Sequence, residues 1–403
     1  MVSTLNRRIT AAAAAAFCII APVIIPPAPV AAQTQVRTGI DSLASIWWTG
    51  EEAALTGISR GTVDFRSSAQ NVQGRLQLRL TLVDIDGRSL ALPEVPRASI
   101  RFRFPITEDY TFRVTSGRDR LSWGVGSLYN AGDLLFGADG RSSADLTRSD
   151  DVRDETAWLL SGYFPMGELG YLETVALPSL PQLSIGSLTE QSPNDGAASS
   201  PAPSLSTVRA GLRIYSTFGP FSLEPAYLFN GQSELHHLAV SMQGTAFGAD
   251  IYAASSLTVP AVPGEVPGID DLLHENSRIS AGVFRGFTIG YDQNLTGRLE
   301  ALVEPGKEWK KTDAGPEQTI TGYALQLYPE FIWTPNRTVS VIGRAIVSPI
   351  DASAEITAGA TWNIFQGFSA LAFAAARVGD STSVYSWDSD GSLSLSAGFR
   401  YHF

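Results

Sequence analysis

Cysteine is nearly absent from this chain of 403 residues: Cys18 is the only one, and histidine is scarce, at four. Cys18 sits in the leading apolar segment, so once that segment is removed the chain has no disulfide and no thiol chemistry. Of the histidines, His236 and His237 are adjacent, which on a strand sends their side chains to opposite faces and keeps them from sharing one metal. His274 stands alone, and His402 falls near the end of the chain, where a structural role in a strand is expected. There is no Gly-x-Ser-x-Gly elbow, no His-Glu-x-x-His and no phosphate loop. No enzyme, no metal site and no cofactor is therefore expected. Basic residues are also in deficit, with a formal net charge of −11, which argues against a nucleic-acid partner. After residue 32 no apolar run reaches the ~20 residues of a helical membrane span.

What the chain does have begins at its N-terminus. Arg7 and Arg8 precede an apolar run from Ile9 to Val30, closed by Val30-Ala31-Ala32. This is the pattern of a cleavable signal peptide, with Gln33 as the new first residue. Pro22, Pro26, Pro27 and Pro29 break the run before it could span a membrane. Phe17 precedes Cys18 where a lipoprotein signal has a small residue. The expected division is 1–32 signal peptide and 33–403 a single domain. Removing Arg7 and Arg8 leaves 27 basic against 40 acidic residues, a mature charge of −13. An exported chain with no helical anchor is either soluble or crosses the outer membrane as a closed sheet.

The last eleven residues favour the closed sheet. From Leu393 to Phe403 every odd position is apolar or aromatic and every even one polar, small or charged, the mark of a strand with two unlike faces. Phe399, Tyr401 and Phe403 share a face, and this ending resembles the C-terminal strand of Gram-negative outer-membrane barrels. The resemblance implies a terminal aromatic signal read by the barrel-assembly machinery. The same alternation runs through Ala354–Ile364, Tyr323–Trp333, Val208–Ile214 and Leu76–Leu82. One face carries Arg, Glu, Gln or Asn and suits a watered lumen, whereas the other is aliphatic with aromatics near its ends and suits lipid.

Connections alternate between short and long. Turns are expected at Thr107–Asp109, Pro165–Gly167, Phe218–Pro220, Phe247-Gly248, Arg285–Phe287, Thr334–Arg337 and Phe365–Gly367. Long segments separate them, notably Gly124–Glu155, Leu183–Ser204, Thr258–Glu275, Glu304–Thr319 and Val378–Gly391. Short turns are periplasmic and long loops extracellular in bacterial barrels. The fold class is therefore all-β: one closed antiparallel transmembrane barrel of about 18 strands, with about 16 the alternative. The first two strands are placed around Ile40–Trp48 and Thr62–Ser67.

The chemistry-bearing feature is charge. Arg75, Arg79, Arg101, Arg103 and Arg113 fall on inward positions of three neighbouring strands, with Arg118 and Arg120 following where Gly117 permits a slip in register. Strands ~4.8 Å apart would make of these a basic ladder on one wall. The longest loop carries Asp133, Asp139, Asp145, Asp150 and Asp151, with Asp154 and Glu155 beyond. Folded into the lumen it would set acids against the arginines; left outside, its own Arg141, Arg148 and Arg153 would pair those acids locally.

In the same region Gly117–Gly124, Asn130–Asp133, Arg153, Trp158 and Phe164–Gly167 resemble a segment of large porin-like outer-membrane barrels, Wzi-type capsule-assembly barrels among them. The resemblance implies passage or surface retention of polar or glycan material, and it carries over no sugar-site residue. Two functions are thus expected to compete in the outer membrane. One is a channel for small polar or anionic solutes. The other is a non-conducting surface barrel for glycan or capsule attachment or adhesion. Lipid and lipopolysaccharide are the surrounding partners, and a homo-oligomer is left open.

Overall fold

The computed structural model describes residues 33–403 apart from positions 50–51, 86–87, 144, 148–151, 179–206, 262–267, 269, 271–272, 275, 308, 312–317, 322, 382 and 388–391. The expected leader, residues 1–32, lies outside the described residues. Eighteen strands form one sheet. They open with β1 (Gln33–Thr49), β2 (Glu52–Ser68), β3 (Val72–Ile85), β4 (Arg88–Pro105), β5 (Thr111–Asp119) and β6 (Ala157–Pro165). β7 (Gly170–Leu177), β8 (Arg209–Phe218), β9 (Phe221–Asn230), β10 (Leu235–Ala246), β11 (Ala249–Pro260) and β12 (Ser277–Ile289) follow. After β13 (Gln293–Glu304) a separate hairpin, β14 (Trp309–Lys311) and β15 (Gln318–Thr321), leaves the barrel. The circuit ends with β16 (Ala324–Thr334), β17 (Val339–Ser348), β18 (Ser353–Phe365), β19 (Phe368–Val378) and β20 (Leu393–His402).

Each barrel strand pairs antiparallel with the next, and β20 pairs back onto β1 from Gly39↔His402 to Trp48↔Leu393, so no free edge remains around the ring. Thr38 and Phe403 exchange backbone hydrogen bonds at the seam (2.8 and 3.0 Å). Inside it, Arg400 reaches Asp41 at 2.8 Å.

The sheet is inside-out relative to a soluble protein. Leu76, Leu78, Leu80 and Leu82 are each 40–46% exposed on the outer face, while Glu300 and Arg344, on the inner face, are 1% and 2% exposed. Water would not tolerate so large an apolar exterior, and lipid requires it. Aromatic rings gather beside the short turns. Phe102, Phe104, Phe112 and Phe164 form one chain with centroids 6.0–6.4 Å apart, and Phe368, Phe399, Tyr401 and Phe403 another. Together they make the interfacial girdle of that rim.

Two expectations need correction. The turn placed at Arg285–Phe287 lies within β12; the chain turns instead at 290–292, where Gly290 takes the left-handed conformation (φ 70°). β1 and β2 are far longer than Ile40–Trp48 and Thr62–Ser67, at 17 residues each. Ser42, Gly57, Ser59 and Gly61 interrupt their apolar outer face, yet the ladder between them is unbroken from Gln33↔Ser68 to Thr49↔Glu52. The expected loop Leu183–Ser204 lies outside the described residues.

Candidate functional site

The longest connection, from Arg120 to Thr156, folds into the barrel. Gly126 starts its descent in a conformation (φ 142°) where a Cβ would meet the Tyr129 carbonyl oxygen at 2.1 Å, so only glycine fits. Three successive backbone N–H groups, of Ser127, Leu128 and Tyr129, then donate to the Glu300 carboxylate of β13 at 2.6, 2.8 and 2.9 Å. Gly124 N–H donates to Glu224 of β9, the Trp123 indole to Glu173 of β7, and Ala131 N–H to Ser280 of β12. Arg344 of β17 donates to the Leu146 carbonyl at 2.6 Å. Leu128, Tyr129 and Val152 of the loop pack against Leu302, Tyr328 and Ile346 of the wall. The apolar core of this protein therefore sits inside its barrel, between loop and wall. The loop packs on the side of the lumen bounded by β6–β17, where a cavity of about 550 Å³ remains beside Tyr252, Phe284 and Arg298, and leaves the side bounded by β1–β5 open.

That free wall carries the arginines. Arg75 bonds Asp64 (2.7 Å), Arg79 lies near Glu94 and Asp154 (3.7 and 3.5 Å), and Arg101 donates to Thr115 with Asp119 at 4.0 Å. Arg103 donates to the Gln73 amide oxygen (3.0 Å), and Arg113 stacks over Tyr163 at 3.7 Å. Arg120 faces the lumen at the end of β5. Arg118 does not. The register does not slip at Gly117, which stays opposite Ser99, so Arg118 stands opposite Ala98 and Trp158 on the outer face. Reasoning from alternation also missed Arg97. Arg97 keeps the parity of Arg101 and Arg103, whereas a bulge opposite Leu78 absorbs Val95 and Pro96 and turns Glu94 inward as well, which alternation alone cannot locate. Arg37, Arg60 and Arg66, from strands whose pattern gave little signal, and Arg400 of β20 complete the wall.

Of the loop acids, Asp145 faces the wall, 3.3 Å from Arg60, and Asp154 meets Arg79 and Arg97 at 3.5 and 3.1 Å. Asp139 lines the wide mouth and pairs with Arg141 at 2.6 Å. Burial would raise the Asp139 carboxyl, but its bonds from Arg141 outweigh that and hold it below the ordinary range. Asp133 takes no part in the opposition. It is 4% exposed, accepts from Leu135 and Phe136 N–H, and lies 3.4 Å from Arg153 inside the loop. Asp150 and Asp151 lie outside the described residues.

Burial pushes Asp133 up to about 6, against the pull of Arg153. A carboxyl raised above its unfolded value of 3.8 favours the folded loop most at low pH, and that advantage is lost as pH rises through about 6. The lowered Asp139 acts only below its ordinary range, outside this window. Amide exchange in residues 128–141, corrected for intrinsic rates, should therefore slow between pH 7 and pH 5. In D133N the difference should vanish; an unchanged difference would assign it to another group.

Three adjoining cavities run along the arginine wall. The widest, about 1030 Å³, opens at the long-loop end beside Trp47, Leu92 and Tyr385, and is lined by four arginines against six carboxylates. A middle cavity of about 330 Å³ has six arginines against four aspartates. A third, of about 710 Å³, lies at the short-turn end beside Gln33, Ser68 and Gln73, with five arginines against the single Asp119. With shared residues counted in each, the balance runs from −2 through +2 to +4. This field rises steadily toward the end that carries the termini.

A closed 18-strand antiparallel barrel with an apolar exterior, a charged interior and an inward loop is a porin-like barrel of the bacterial outer membrane. No family model and no curated protein matches the chain. Among solved structures it is similar to a variant of the Rh. blastica porin, at 10% identity over 92% of this chain and 100% of that one, TM-score 0.41. It is similar also to Salmonella typhi OmpF in complex with daunomycin, at 12% over 92% and 97%, TM-score 0.44. A loop-L8 deletion of OmpT, an outer-membrane protein of Vibrio cholerae, shares 11% over 93% and 100%, TM-score 0.39.

Proposed function

We propose that the barrel is a channel for passive diffusion of small polar solutes, biased toward anions. The charge progression along the three cavities beside the docked loop carries this reading. Net charge is spread over the whole surface, whereas permeation responds to the potential where the lumen is narrow. The opposed Asp145 and Asp154 lower the field without cancelling it, so the lumen stays basic and wet. The reading includes no catalytic role. His236 and His237 are tied to Tyr227 and Thr258 on opposite faces of β10. It also expects insertion by the barrel-assembly machinery, contact with lipopolysaccharide, and no nucleic-acid partner.

In a planar bilayer, R101S/R103S should shift the reversal potential toward cation selectivity. The shift should shrink near 1 M salt, where the Debye length falls to ~3 Å. D145N and D154N should move it the other way, and D133N should leave it in place because Asp133 is sealed inside the loop. A wild-type barrel that carries no current would sink the channel reading in favour of a non-conducting surface barrel for glycan attachment or adhesion.

A further inference from the structure

The arginines at the short-turn end exceed what the fold can use. Arg66 stands directly opposite Arg75, and Arg103 directly opposite Arg113, in the β2–β3 and β4–β5 ladders. Like charges at such positions work against strand pairing. The first pair shares Asp64 as counter-ion. The second has only the Gln73 amide oxygen and the Tyr163 ring, and among the described residues no carboxylate lies within salt-bridge distance of either member. Arg97, lining both the middle and the 710 Å³ cavity, leaves its Nε without an acceptor. Arg66 and Arg101 remain accessible, their side chains 42% and 40% exposed. Arg101 and Arg120 line both the 710 Å³ cavity and an adjoining recess of about 100 Å³, whose other charged groups are Arg113, Asp119 and Glu173. Glu173 is already engaged by Arg213 at 2.8 Å, and Asp119 by Ser99.

We propose that this basic cavity is a binding site for small oxyanions carrying two or more negative charges. The inference rests on the lumen being open to solutes and goes beyond it by naming a site and a ligand class. Guanidinium groups meet carboxylate and phosphate oxygens through paired N–H donors. A singly charged anion occupies one such fork and remains screened by salt. A polyanion spans two or three at once and, at the recess, supplies the counter-charge that Arg113 lacks. The volume suits a solute of metabolite size. Gln33, Gln35, Ser67 and Ser68 add neutral hydrogen-bonding groups without a competing charge. At the most positive point of the axis, the site would retain such a solute at the last step of inward passage.

The test is block of chloride current through single barrels by pyrophosphate, citrate or acetate, added to either side. Pyrophosphate and citrate should block at concentrations at least tenfold below acetate, and more strongly from the short-turn side. Their relative strength distinguishes phosphate from carboxylate as the preferred group. R101S/R113S should weaken the block at least tenfold, and R60S, at the far side of the constriction, less than twofold. R113S alone should melt at a higher temperature than wild type without added anion, because it relieves the repulsion with Arg103. Equal block by acetate, or unchanged block in R101S/R113S, overturns the site while wild-type anion selectivity in a plain KCl gradient keeps the channel reading. If the barrel carries no current, calorimetric titration of the detergent-solubilised protein with pyrophosphate decides. Heat lost in R101S/R113S supports the site, and absence of heat in wild type overturns it.

Discussion

Replacing Glu300 with alanine should release the lumen loop and raise single-channel conductance severalfold. One carboxylate there accepts from three consecutive backbone N–H groups and from the Tyr252 hydroxyl, and it is 1% exposed. Its removal leaves four donors without their acceptor, those of Leu128 and Tyr129 buried and those of Ser127 and Tyr252 at the edge of a polar cavity. Each orphaned donor costs about 1–3 kcal/mol, so the total is comparable with everything else that holds this end of the loop. The barrel should survive, because its strands are joined by backbone ladders that do not pass through Glu300. Trypsin should then cut after Arg141, while the folded barrel still migrates as heat-modifiable on gels. Unchanged conductance together with full protease resistance would show that the bonds to Glu173, Glu224 and Ser280 suffice on their own.

The barrel was legible because lipid imposes a period of two on every strand that faces it. Alternation in Leu76–Leu82 and Leu393–Phe403 therefore read directly as an inner and an outer face. The arginine ladder followed from the same parity, which places Arg75, Arg79, Arg101, Arg103 and Arg113 on the inner face of their strands. It failed at Arg118, where a left-handed glycine was read as a slip although Gly117 keeps its place in the ladder. Parity could not place Glu94, because the bulge at Val95-Pro96 shifts it without changing composition, whereas Arg97 keeps the parity of Arg101 and was simply passed over.

The loop was legible only as a long acidic segment. Its direction depends on acceptors contributed by β7, β9, β12 and β13, far away in sequence, and nothing local in Trp123–Asp133 specifies them. The wall residues Glu173, Glu224 and Glu300 looked like ordinary lumen polars for the same reason. Their role as acceptors, from backbone N–H groups at Glu224 and Glu300 and from the Trp123 indole at Glu173, appears only when a loop more than forty residues distant arrives against them. Which acids of that loop face water was hidden too. Asp133 and Asp145 have similar sequence surroundings, yet one caps a turn beneath the surface and the other meets Arg60 across the pore.

Replacing Arg344 with methionine should be among the most destabilising single changes in the barrel wall. Its side chain is 0% exposed and lies 2.7 Å from Glu330, which also accepts from Arg298 (3.1 Å) and the Tyr328 hydroxyl (2.8 Å). Two arginines there balance Glu300 and Glu330, so removing one leaves a buried negative charge. Breaking a buried pair from one side costs about 3–5 kcal/mol, most of it the penalty on the charge left behind. The midpoint of urea unfolding in lipid vesicles should therefore fall sharply, and the Leu146 carbonyl should lose its donor. R344M/E330Q should recover much of the loss, since glutamine removes the stranded charge, its Oε1 still accepts from Arg298, and its amide NH2 can donate to the Tyr328 hydroxyl oxygen. By contrast R337M breaks a pair with Asp292 whose arginine is 86% exposed, and should change stability by no more than about 1 kcal/mol. Equal midpoints for R344M and R337M would mean that water reaches Glu330, and that this part of the wall is not the dry junction between loop and barrel that its geometry describes.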